Sequence, residues 1–183
     1  YIERTVIKAI KNNIAIYAIH TNLDNVHNGV NAKIAEKLGL INCKVLSLKQ
    51  EVNSDLVGSG IIGELKTPVN TEVFLESLKT KMQTKCIRHT LIVKEKIQRI
   101  AVCGGSGSFL LKNARAEKAD VFITADFKYH EFFDADGKIL IADVGHYESE
   151  WRTSRLIANV IKQKFTKFAV CLATSKTNPV RIR

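Results

Sequence analysis

The chain has 183 residues, 45% hydrophobic and 25% charged, and its 28 Lys and Arg against 18 Asp and Glu give a formal charge of +10. Ten Gly and two Pro in so average a composition exclude collagen-like, low-complexity and broadly disordered chains. The longest apolar run, Ile14–Ile19, is far shorter than the ~20 residues a membrane span requires, and no signal-peptide pattern opens the chain. In chain order, Ile2, Val6, Ile7 and Ile10 line one face of a helix, and Ile14–Ile19 reads as a buried strand. Val30, Ile34, Ala35 and Leu38 mark a second helix, which Gly39 closes. A strand over Lys44–Leu48 leads into polar, Gly-rich residues 49–60, read as a linker. Ile61–Leu65 is strand-like, and Phe74, Leu75, Leu78 and Met82 form another helical stripe. Then follow a strand (Ile97–Cys103), a helix (Phe109–Lys118), a strand (Val121–Thr124) and a short helix (Tyr129–Ala135). A strand over Ile139–Val144, a helix over Glu148–Lys164 and a last strand over Phe168–Thr174 complete the set. This alternation predicts an α/β fold with a largely parallel or mixed sheet covered by helices.

Cys43, Cys86, Cys103 and Cys171 include no C-x-x-C pair, so they are read as core thiols of a protein in a reducing, cytoplasmic compartment. Lys and Arg are dispersed, without a run of five or an aromatic-interleaved basic strand. A solvated basic surface accounts for them better than a dedicated nucleic-acid site.

Three imidazole–carboxylate pairs share one spacing: His20 with Asp24, Asp126 with His130, and His146 with Glu150. An i,i+4 spacing puts both groups on one face of a helical turn. Each pair lies just past the carboxyl end of a predicted strand, where open α/β sheets gather ligand groups. Mixed imidazole and carboxylate donors suit zinc, manganese, iron or cobalt without selecting among them. Asp24 and Glu150 are the candidates to bridge or terminate a metal site. So few donors are thin for two ions that each want about four, so either the site holds one ion or further donors lie outside this sequence. The run Cys103-Gly-Gly-Ser-Gly-Ser108 offers amides to an anion and serves equally well as a tight turn. It lacks the spacing of a dinucleotide fingerprint or a P-loop. His27 and His89 are assigned no role.

The ordered segments His20-Thr-Asn-Leu-Asp24, Gly29-Val-Asn31, Gly63-Glu-Leu, Ala101–Ser108, Thr124–His130, Gly145–Glu150 and Thr177-Asn-Pro-Val180 together resemble the Nif-three-like family, whose members carry the name GTP cyclohydrolase 1 type 2 homolog. The resemblance spans essentially the whole chain. It implies two similar α/β lobes with mixed sheets covered by helices, a centre of two divalent metal ions, and a toroidal homohexamer with the metals facing inward. It places metal ligation on Asp24, His146 and Glu150, with the glutamate bridging, and lines the site with His20 and His130. The family's adjacent His-His ligand pair is absent and would precede Tyr1, where upstream residues are expected. An inserted domain found in bacterial relatives would fall near Gln50–Ser54. On this reading residues 1–50 belong to the first lobe, 51–60 to a junction and 61–183 to the second lobe. Ala125 and Ile61 stand where many members have Gly and Arg. The expected activity is metal-dependent hydrolysis of a nucleotide-like or phosphorylated small molecule, with His20 or His130 moving protons. The alternative is a non-catalytic metal-bound ring, a regulatory scaffold that could hold nucleic acid on its basic surface.

Overall fold

The computed structural model describes residues 1–26, 28–52 and 55–182. In chain order the elements are α1 (Ile2–Lys11), α2 (Thr21–Asp24), α3 (Val30–Leu38), β1 (Ile41–Val52), β2 (Asp55–Asn70), α4 (Thr71–Met82) and β3 (Arg88–His89). There follow β4 (Lys96–Ser106), α5 (Leu111–Ala116), β5 (Val121–Ala125), β6 (Leu140–Asp143), α6 (His146–Glu150) and α7 (Thr153–Lys164). Short 3₁₀ turns cover Ser108–Leu110 and Tyr129–Ala135. No helix among the described residues is long and apolar enough to cross a membrane.

One six-stranded mixed sheet runs in the order β1-β2-β4-β5-β6-β3. Its centre is parallel: Ile100 pairs with Val121, and Val121 with Leu140. The flanks are antiparallel, β1 with β2, β2 with β4, and β3 with β6. Side chains alternate across a strand, so the buried central strands feed two cores. Ile100, Val102, Val121, Ile123, Leu140 and Ala142 face α3 and α4, where Ile34, Leu38, Phe74 and Leu78 pack on them. Ala101, Cys103, Phe122 and Ile141 face the other way, against Leu110, Leu111, Ala114 and Phe127. The expected α/β architecture is therefore present, with apolar layers on both sides of the sheet.

Helix ends follow local chemistry. Asn70 Oδ1 accepts from the amides of Glu72 (3.1 Å) and Val73 (3.3 Å), capping α4. Gly39 ends α3 at φ +79°, as its position in the sequence predicts.

Several boundaries differ from the sequence reading. The segment taken as a linker is part of the β1–β2 hairpin, in which Ser47 pairs with Ser59 and Leu48 with Gly58. The glycines that suggest a loop serve close strand approach instead: a Cβ at Gly58 would stand 2.2 Å from the Ser47 carbonyl oxygen. The expected insertion point includes Asn53 and Ser54, which lie outside the described residues. The single helix expected over 148–164 is two, α6 and α7, broken at Trp151 and Arg152. The two-residue β3 is too short to leave a periodic signal. Ile14–Ile19 and Phe168–Thr174 add no strand to the sheet. An apolar β-branched run specifies an extended shape, but a strand exists only where a neighbour completes its ladder. Ile14 and Ile16 are accordingly 59% and 60% exposed, and the apolar stripe of α1 also faces outward. Of the four free cysteines, Cys103 is buried while Cys43, Cys86 and Cys171 are exposed, so the core reading holds for one.

Candidate functional site

The carboxyl ends of the three parallel strands converge on one region. β4 turns through a bulge at Gly104–Gly105 just before its end, Asp126 follows β5, and Gly145–His146 follows β6 into α6. Open α/β sheets place their ligand groups at this edge.

A cavity of about 300 Å³ lies there, lined by His20, Asp24, Gly104, His146, Glu150 and Thr153 among others. It joins α2, near the start of the chain, to α6, near its end. Asp24 thus meets His146 and Glu150 across the whole length of the fold. His130 is not among the lining residues; it sits on the 3₁₀ turn after β5, its ring edge-on to Tyr129 with centroids 5.2 Å apart.

Two buried side chains hold the donor-bearing helices to the Gly104–Gly105 turn. Asn31, 3% exposed, accepts from the Gly104 amide through Oδ1 (2.8 Å) and donates through Nδ2 to the Asp24 carbonyl (2.9 Å). Ser149, 6% exposed, accepts from the Gly105 amide (2.9 Å) and donates to the His146 carbonyl (2.8 Å). Two of the amides that the sequence offers to an anion, those of Gly104 and Gly105, are therefore taken by protein side chains, and the expected tight turn is instead an irregularity near the end of β4. Gly105 has φ +63°, and a Cβ there would come within 2.2 Å of Glu150 Oε1, so the turn lets the carboxylate lie against the main chain.

The side-chain contacts rearrange the pairs read from the sequence. His146 Nε2 faces Glu150 Oε2 at 3.2 Å, as the i,i+4 spacing predicts. Asp126, expected beside His130, instead accepts from His146 Nδ1, with Oδ2 at 2.5 Å. His20 precedes the first residue of α2 rather than standing one turn from Asp24 within a helix.

One participant leaves no sequence signal. Asp143, buried in β6, accepts from the amides of Phe127 (3.0 Å) and Gly145 (3.1 Å) and pairs with the Arg88 guanidinium. It thereby fixes the residues next to both Asp126 and His146.

Burial raises the carboxyls of Asp24 and Glu150 above their ordinary values; the His146 charge opposes both shifts, and Asp24 reinforces the rise at Glu150. Burial alone would lower the His146 imidazole, but its hydrogen bond to Asp126 and the Glu150 charge outweigh that and raise it. Burial pushes the Cys103 thiol, which senses the same two carboxylates, up to about 12, so it is held as an inert thiol.

The donor set, two carboxylates and an imidazole, fits a divalent cation in kind. The Thr153 hydroxyl, on a residue lining the cavity, is buried without a hydrogen-bond partner among the described residues. The set is short in number: among the described residues no three His, Cys, Asp or Glu side chains form a closed metal-binding group.

The Duf34/NIF3 (NGG1p interacting factor 3) family profile matches residues 1–179. A Clostridium perfringens protein named GTP cyclohydrolase 1 type 2 homolog is 33% identical over 164 residues, covering 88% of this chain and 61% of that protein. A Lactococcus lactis protein of the same name is 32% identical over 181 residues, covering 97% of this chain and 67% of its own length. The chain thus spans about three fifths to two thirds of these curated relatives. Among solved structures, a Bacillus cereus protein related to NIF3 superposes with a TM-score of 0.85 at 21% identity, covering 98% of this chain and 77% of that one. A Staphylococcus aureus hypothetical protein gives 0.83 at 26% identity, covering 96% and 71%. A profile that covers nearly every residue, with this strand order and turn chemistry beneath it, assigns the chain to the Duf34/NIF3 family.

Proposed function

We propose that the cavity between α2 and α6 is the metal-binding centre of a hydrolase acting on a nucleotide-like or phosphorylated small molecule. The observation that carries this reading is the meeting of Asp24 with His146 and Glu150 at the carboxyl edge of the parallel strands. These three residues would hold the metal, with the remaining donors supplied from outside the described residues. Bound divalent ions would offset the two carboxylates toward an anionic substrate and supply a water nucleophile at neutral pH.

The chain's own residues would do the rest. His20, at the rim of the same cavity, is the proton carrier in this scheme. A second cavity of about 800 Å³ shares His146 and Glu150 with the first and is bounded by Tyr147, Trp151, Asn178 and Val180. Its largely apolar walls give the non-reacting part of a substrate a place beside the donors.

The test is turnover of a nucleotide and phosphoester panel by full-length, metal-loaded protein. Glu150→Ala should abolish any turnover found, while a variant that keeps it would remove Glu150 from the chemistry. The net charge of +10 supports a second reading, a nucleic-acid-binding scaffold. That reading requires binding that weakens steeply with salt.

A further inference from the structure

We propose that Asp126 is a positioning residue: it accepts the hydrogen bond from His146 Nδ1 and so presents Nε2 of that ring to the cavity. Both ring nitrogens of His146 face a carboxylate, Nδ1 that of Asp126 at 2.5 Å and Nε2 that of Glu150 at 3.2 Å, and the shorter contact places the proton of the neutral ring on Nδ1. The lone pair of the neutral ring is then on Nε2, the nitrogen that faces Glu150. Outer carboxylates of this kind set the tautomer, orientation and basicity of metal-binding imidazoles.

The backbone supplies a second, independent argument. Asp126 lies at φ +58°, in the left-handed region, directly after β5. Glycine adopts that conformation freely, whereas a residue with a Cβ is strained there, aspartate less than most. Its neighbours are tied down: Ala125 and Phe127 are buried, and the Phe127 amide donates to Asp143 (3.0 Å). Asp126 alone turns outward, its side chain 49% exposed, and its carboxylate goes to His146. The left-handed turn at position 126 delivers this carboxylate to the His146 ring, in a conformation that aspartate tolerates better than most residues. The geometry is independent of any metal, but its purpose rests on the metal reading above.

The experiment uses full-length protein with Asp126→Gly, which keeps the turn and removes the acceptor, and Asp126→Asn, which keeps a neutral acceptor. Side-chain nitrogen NMR of metal-free protein at alkaline pH reads the His146 tautomer. Competition with a chelator reads the affinity for zinc alone. The wild type should show the Nδ1–H tautomer. Asp126→Gly should lose that preference and bind zinc about 10–100-fold more weakly, with Asp126→Asn between the two. A merely structural residue would move the melting temperature and leave the tautomer alone. An unchanged tautomer in Asp126→Gly, or in Asp126→Ala should the first not fold, overturns the inference. A wild type with the Nδ1–H tautomer and no zinc binding supports it and overturns the metal reading instead.

Discussion

Replacing Asn31 with Ala removes the side chain that joins α2 to the glycine turn. The change deletes the acceptor of the buried Gly104 amide and the donor to the Asp24 carbonyl. An unsatisfied buried amide costs about 1–3 kcal/mol, and the second bond contributes about 1 kcal/mol. Together these give a loss of roughly 2–4 kcal/mol, or about 5–15 °C in melting temperature for a domain of this size. Thermal melts of wild type and Asn31→Ala measure it. Amide hydrogen exchange at Gly104 adds a local reading, since the freed N–H should exchange faster. A melting temperature within about 2 °C of wild type, with Gly104 still protected, would refute the reasoning, because the amide would have found another partner.

Gly105→Ala places a Cβ at φ +63°, 2.2 Å from Glu150 Oε1. The backbone cost is about 1–2 kcal/mol, but the carboxylate must move, so cation affinity should fall well beyond what the modest drop in melting temperature suggests. Equal affinity by titration calorimetry would show that Glu150 does not need its present position. Raised folded-state carboxyls give a third prediction, a pH dependence. Asp24 and Glu150 bind protons more tightly folded than unfolded, so they favour folding below their ordinary values of 3.8 and 4.5 and lose that contribution as pH rises through the raised values. His146 adds a further loss as pH climbs from 6.5 through its own raised value. Asp120 works oppositely: burial would raise it, but hydrogen bonds from the Gln98 amide and Lys94 lower it, so its contribution disappears only in acid, below 3.8. Metal-free Glu150→Gln should therefore melt about 1–3 °C above wild type at pH 7, with the gain vanishing near pH 4. A lower melting temperature at pH 7 would contradict the electrostatic account.

The periodic segments of this chain were readable because burial imposes them. Ile100 to Cys103 and Val121 to Ile123 have their apolar character dictated by layers on both faces of the sheet, and α3 and α4 by the face they bury. The same logic misled at Ile14–Ile19, where side chains suited to a strand lack a neighbouring ladder, and at residues 49–60, where glycines needed for close strand contact imitate a loop. His146 and Glu150 could be found from spacing and from their place after a strand, whereas Asp24 was reached through a strand over Ile14–Ile19 and a helical pair with His20 that the structure does not contain. Asp126 was found with the wrong partner, since an i,i+4 rule presupposes a helix and the chain turns through a left-handed residue there. Asn31, Ser149 and Asp143 were invisible as site residues: each ties a nearby main-chain group to one far away in sequence, and the distant half of such a contact leaves no local pattern.

The two clamps on the Gly104–Gly105 turn grip carbonyl and amide groups of the polypeptide, leaving the side chains at positions 24, 146 and 150 outside the mechanical framework. Architecture and chemistry are thereby stored in different atoms. If the proposed metal centre is real, a lineage can exchange one donor for another, and with it the preferred ion, while the scaffold that presents them endures. Drift in Asn31 or Ser149 would instead dismantle the site with every donor still in the sequence.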